Sequence, residues 1–127
     1  MLLIVILLAG ANACSKSTSA SEGGKKDPGA NFVLDPFVLN LSNHGNEGAL
    51  KISVVLDLSK AVLVEKAKTK TPQLRDAIIM VLSTQSKEDL ATQEGKAQLK
   101  EEILAQANQI LNEGSVRNVY FPDFVMQ

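Results

Sequence analysis

Leu50-Lys51-Ile52-Ser53-Val54-Val55-Leu56-Asp57-Leu58 is the stretch on which the fold turns. Leu50, Ile52, Val54, Leu56 and Leu58 fall on one side of an extended chain, and Lys51, Ser53 and Asp57 fall on the other. That period of two marks a strand with one face in a core. Upstream, Phe37, Leu39 and Leu41 alternate with Val38 and Asn40, while Asp35-Pro36 interrupts the start of the run as suits a strand beginning or an edge. Between the two runs, Ser42 to Gly48 (SNHGNEG) carries turn residues, so the spacing predicts an antiparallel hairpin.

Downstream of Leu58 the period lengthens. Ser59 stands where an N-cap belongs, and Val62, Leu63, Lys66 and Lys70 follow at helical spacing. Thr71-Pro72 reads as a second cap with proline at the first helical position, and Leu74, Ile78 and Val81 or Leu82 form the stripe that helix would bury. Ser86-Lys87-Glu88-Asp89 resembles a capping box with Asp in the place of Glu or Gln. A further helix is predicted after Thr92 toward Asn112, burying Leu99, Ile103, Ala107 and Ile110, with Gly114 at the left-handed C-terminal position. In Val116 to Met126 (VRNVYFPDFVM), β-branched and aromatic residues return, and Pro122 breaks the segment into two short strands or one bulged edge strand. Two strands, a block of helices and a closing strand make an α+β layer: a small antiparallel or mixed sheet with helices on one face.

The charges exclude some partners. With 13 basic and 14 acidic residues dispersed along 127, no basic field exists to meet a phosphate backbone. Four Phe, one Tyr and no Trp offer few rings for stacking bases, so nucleic acid is not expected as a partner. One cysteine, Cys14, makes no intrachain disulfide, and one histidine, His44, leaves any nucleophile a single imidazole in an Asn- and Gly-rich loop. No phosphate-cradling glycine loop, no G-x-S-x-G elbow and no His or Cys pair at metal spacing is found, so neither an enzyme nor a cofactor is expected. Glu88-Asp89 and Glu101-Glu102 are adjacent carboxylates that point apart on a helix and read as solvated faces.

The amino end is of another kind. Met1 to Ala9 (MLLIVILLA) is wholly apolar and trails into Cys14. As a helix it falls short of the roughly 30 Å hydrocarbon core of a bilayer. Two readings stay open for residues 1–14: a membrane anchor whose first part and basic flank lie upstream of Met1, or a cleaved or lipidated signal with Ala11-Asn12-Ala13 directly before Cys14. Ser15 to Asn31 (SKSTSASEGGKKDPGAN) has no large apolar residue and is read as a flexible linker over 15–31. The folded domain is expected over 32–127.

Leu34-Asp35-Pro36-Phe37-Val38-Leu39-Asn40-Leu41, the strand Leu50 to Leu58, Pro72 to Ile79 with Leu82-Ser83, Asp89-Leu90 and Glu94-Gly95-Lys96, and the closing Gly114 to Gln127 resemble, in that order, the flagellar basal body-associated FliL family. The resemblance covers most of the chain, and its specificity lies in the series rather than in any one motif. It implies an α+β periplasmic domain similar to stomatin-type domains, anchored in the inner membrane by one pass. It also implies association with the basal body and the stator units, support of rotation, swimming, swarming and chemotaxis, and self-association into a ring. A reading from another class is a membrane-tethered or lipoprotein-like periplasmic ligand-binding domain.

The candidate interaction residues are Asp35, Pro36 and Phe37, Arg75, and Tyr120, Phe121 and Phe124. For the aromatic cluster, the ordinary alternative is a core-facing strand. For Asp35-Pro36-Phe37 it is a strand beginning capped by Asp. Arg75, at the rim of an apolar helix, is expected to meet a carboxylate within the domain or across an interface.

Overall fold

A computed structural model describes residues 28–43 and 46–127. Met1 to Ala9, Cys14 and His44, and with them the anchor, signal and lipidation readings, lie outside these residues. The elements run β1 (Ala30–Val33), β2 (Phe37–Asn43), β3 (Asn46–Ile52), β4 (Val55–Leu58), α1 (Leu63–Thr69), α2 (Thr71–Ser83), α3 (Lys87–Leu90), α4 (Gln93–Leu111), β5 (Val116–Tyr120) and β6 (Phe124–Met126). The predicted hairpin is β2 with β3, pairing Phe37 with Ile52 out to Asn43 with Asn46. Its strands take in most of the expected Ser42 to Gly48 loop.

In place of one sheet there are two, each three-stranded and antiparallel, in the orders β1-β4-β5 and β2-β3-β6. The Leu50 to Leu58 run supplies the middle strand of both. It is broken only at Ser53-Val54, and the reason lies in its neighbours. Opposite those two residues, one flank places Leu34, Asp35 and Pro36 and the other places Phe121, Pro122 and Asp123. Each flank thus carries one residue more than its partner and a proline that has no N–H for the ladder, and an excess residue bends a strand pair. Pairing is handed across the corner by Leu34 N–H donating to the Val54 carbonyl at 3.0 Å and Ser53 N–H donating to the Asp123 carbonyl at 2.9 Å. The corner also explains why the adjacent Val54 and Val55 are both buried, which a flat alternating strand does not permit.

The helices follow the spacing with local corrections. Ser59 caps no helix: its N–H donates to the Ser115 carbonyl at 2.8 Å, prolonging the β4 and β5 pairing. A turn closed by Leu63 N–H on the Lys60 carbonyl comes first, so α1 starts later and leaves Val62 74% exposed. Thr71 does not cap α2 either, since its Oγ1 donates back to the Ala67 carbonyl at 2.9 Å, while Pro72 occupies the first turn as expected. Leu74, Ile78 and Leu82 form the buried stripe of α2.

Ser86 Oγ accepts from Asp89 N–H at 3.0 Å, so Ser86 caps α3 as expected, and Thr92, after which the next helix is expected to begin, caps α4 by accepting from Gly95 N–H on Oγ1 at 3.0 Å. Along α4 the buried residues are Leu99, Ile103, Ala107 and Leu111, and Ile110 is only half-buried because the stripe follows the 3.6-residue turn to Leu111. The helix ends with Asn112 at φ 89°, followed by Gly114 at φ 81°. Lys66 Nζ at 3.1 Å and Ser115 Oγ at 2.7 Å both donate to the Leu111 carbonyl, placing a cation where the helix dipole is negative.

α2 packs on α4 and α4 packs on β5, while β2 also meets α2. One apolar core joins the two sheets to the helix block, from Phe37, Leu50, Ile52 and Leu56 to Leu99, Ile103, Val116 and Val119. Each such side chain removed from water stabilises by roughly 1.5–3 kcal/mol. Among the described residues no helix is long and apolar enough to cross a membrane.

Candidate interaction site

The corner brings the candidate residues together in pairs. Asp35 and Pro36 are exposed in the bulge between β1 and β2, and Phe37, the first residue of β2, is 2% exposed. Arg75, one turn into α2, reaches across to this bulge. Its Nη1 donates to the Asp35 carbonyl at 2.7 Å, and its guanidinium carbon lies 4.1 Å from the centroid of the Phe37 ring. Arg75 thus meets a backbone oxygen and an aromatic face within the domain in place of the expected carboxylate. The planar fork suits this double role, stacking on a ring while donating at its edge. Phe37 belongs to the core, and the exposed part of the candidate is Asp35-Pro36.

The second bulge holds the aromatic cluster. The core-facing residues of β5 are Val116 and Val119, whereas Tyr120 is 41% exposed and Phe121 and Phe124 are half-buried. The cluster is therefore not a buried strand face: Pro122 turns the chain so that Phe121 and Phe124 pack on each other, centroids 6.1 Å apart. Two lysines of α4 complete the arrangement. Lys96 Nζ stands 4.9 Å from the Phe124 centroid and Lys100 Nζ 5.6 Å from that of Phe121. With Gln93 and Ala97 these four line an open cleft of about 350 Å³. Spacing alone did not single out these lysines. Their separation of four residues was a signal that they share a helix face, but nothing in the pattern said that this face meets a segment 21 to 28 positions further on.

The edges of the first sheet are managed by side chains. Asn108 on α4 donates from Nδ2 to the Val116 carbonyl at 3.1 Å and accepts from Val116 N–H on Oδ1 at 2.8 Å, so an amide stands in for a further strand along β5. Where β5 and β4 slip register, Arg117 donates to Asp57 Oδ1 at 2.9 Å and to the Pro28 carbonyl at 3.5 Å. The chain enters β1 through Gly29 at φ 79°, where a Cβ would overlap the Leu58 carbonyl and the Arg117 guanidinium. Strand β1 takes in Ala30 and Asn31, residues whose composition grouped them with the linker.

Among the described residues, no group of three or more His, Cys, Asp or Glu side chains is placed to hold a metal ion. The corner thus joins half-buried rings and three cations to two exposed bulges that also carry Asp35 and Asp123. Compared with known families, residues 32–127 match the family described as "Flagellar basal body-associated protein FliL". Compared with known proteins, the chain is 40% identical over 100 residues to "Flagellar protein FliL" of Aquifex aeolicus (strain VF5), a match that takes in 78% of this chain and 62% of that protein. It is 24% identical over 86 residues to "Flagellar protein FliL" of Bacillus subtilis (strain 168), taking in 68% of this chain and 61% of the relative. The matched region is thus a little over three fifths of the length of each relative.

Proposed function

This chain belongs to the FliL family of flagellar basal body-associated proteins, and from that membership we propose that it is a non-enzymatic accessory protein of the flagellar basal body. In this reading the folded domain lies in the periplasm, held to the inner membrane by a single pass at the amino end. It associates with the stator units and with other copies of itself in a ring built on a stomatin-like domain. It thereby supports rotation, swimming and swarming, and chemotaxis.

The observation that carries the reading is the family match over 32–127, which takes in both sheets apart from the first two residues of β1, the helix block and both proline bulges. The corner is compatible with a scaffold, since its half-buried rings and cations are groups that bind surfaces. A tether adds to this by confining the domains to one plane, which raises their effective concentration so that each contact need not be strong in solution.

The test is to label the chain fluorescently and follow it in motile cells beside a labelled stator protein, and to delete the gene. Enrichment at flagellar bases with reduced motility under load is the expected result. Diffuse signal together with normal swimming and swarming in the deletion strain would overturn it and leave a periplasmic ligand-binding domain.

A further inference from the structure

The cleft between the start of α4 and the corner joining β5 to β6 has a mostly apolar floor, Phe121, Phe124 and Ala97, and a cationic cover, Lys96 and Lys100. We propose that it is a docking site for an acidic protein segment carrying one large apolar side chain.

The first support is the state of the two lysines. Among the described residues the ion pairs are Lys68 with Glu65 and Arg117 with Asp57, and neither includes Lys96 or Lys100. Their ammonium groups lie over ring faces, a weak contact at an accessible site that an incoming carboxylate displaces, because charge-assisted hydrogen bonds are the stronger interaction. The second support is spacing. Residues four apart on α4 are separated by about 6 Å along the axis, the separation of two carboxylates at i and i+4 on a partner helix. An apolar residue at i+3 of that helix lies beside the acidic row, as the rings lie beside the lysine row. Shape decides against a lipid surface. Phe121 and Phe124 are half-buried within a concavity of about 350 Å³, whereas side chains that enter a bilayer must protrude from the protein. The open cleft leaves room for a large apolar side chain to lie against the two rings.

The inference rests on the cleft alone and does not depend on the flagellar reading. The full chain, held in non-ionic detergent, is used to select from a random-peptide display library. The most enriched peptide is then synthesised with a fluorescein label and titrated by anisotropy. Enrichment of sequences with paired Asp or Glu beside Leu, Ile or Phe is expected. Binding should weaken about tenfold in Lys96→Glu/Lys100→Glu, since two exposed ion pairs are lost, and should be unchanged in the charge-matched control Lys60→Glu/Lys68→Glu. Should the double reversal fail to fold, Lys96→Gln/Lys100→Gln serves instead, and its weakening should match that produced by raised salt. No enrichment, enrichment without acidic residues, equal loss in the control, or a preference for phosphatidylglycerol vesicles over every peptide would each overturn the proposal.

Discussion

Replacing Arg75 by Ala tests how the helix block is attached to the corner. The guanidinium makes one short charged hydrogen bond, 2.7 Å to the Asp35 carbonyl, and one cation–ring contact, 4.1 Å to the Phe37 centroid. A hydrogen bond to a charged group contributes about 1.5–3 kcal/mol, and a partly desolvated cation–π contact about 0.5–2 kcal/mol. Two terms reduce the sum. Fixing an arginine costs up to about 2 kcal/mol of rotamer entropy, and the exposed bulge lets water take the place of the lost donor at Asp35. The expected loss for Arg75→Ala is therefore about 1–2 kcal/mol, a sizeable share of the roughly 5–15 kcal/mol that holds a domain folded. Urea unfolding of residues 28–127, followed by far-UV circular dichroism, measures it. A cycle with Phe37→Leu, which removes the ring but still fills the core, should return a coupling of about 0.5–1 kcal/mol. Arg75→Lys should fall between wild type and Ala, having charge without the fork. A loss for Arg75→Ala within the error of the measurement, or strict additivity in the cycle, would refute the assignment of Arg75 as the link between α2 and the bulge.

Other substitutions probe the remaining junctions. Asn108→Ala removes both partners of Val116 and should cost about 1–3 kcal/mol in the same urea assay. Asn108→Asp, which keeps the acceptor but sets a carboxylate against the Val116 carbonyl, should be no better; recovery of wild-type stability by Asp would show that only the bond to Val116 N–H matters. Gly95→Ala is expected to lower the melting temperature despite the roughly 1 kcal/mol by which alanine is preferred in helices, because a Cβ there would overlap the Asp89 carbonyl of α3 across the turn that joins α3 to α4. A raised melting temperature would show that this turn yields freely. We expect a chain beginning at Pro28 to melt in one cooperative transition, and one beginning at Phe37, which lacks β1, to melt at lower temperature. Equal melting of the two would mean that β1 adds nothing to the domain.

How much of this was legible in the sequence depended on the range of the interaction. Period and caps are local, so the extended character of Leu50 to Leu58, though not its division into two strands, the Ser86 cap, the helix start after Thr92 and the Leu74 and Leu99 stripes could be read from spacing. Ser59 misled because a serine before an apolar run satisfies the cap pattern whether or not its backbone is already engaged by a distant strand, here at Ser115. The division into two sheets was hidden for a related reason. A bulge exists only relative to a partner, and register between Leu34 to Pro36, Ser53-Val54 and Phe121 to Asp123 is set by pairings far apart in the chain. Each proline marks an interruption by itself, but nothing local in the sequence says that the two interrupt the same place.

That coincidence is what assembles the candidate site. Asp35-Pro36-Phe37 and Phe121-Pro122-Asp123-Phe124 are remote in sequence, yet they flank one dipeptide from opposite sides, and each is held by cations from a different helix: Arg75 of α2 on Phe37, and Lys96 and Lys100 of α4 on Phe124 and Phe121. The contacts differ in kind. Phe37 is buried and its cation also carries a backbone hydrogen bond, so that contact fastens the helix block to the sheets. Phe121 and Phe124 remain half-buried, and their cations have no further hydrogen bond among the described residues, so moving them off the rings would cost little. One bulge is thus closed by its own arginine, and the other keeps its lysines and rings available, which is why we place the proposed docking site on the Phe121 and Phe124 side of the corner.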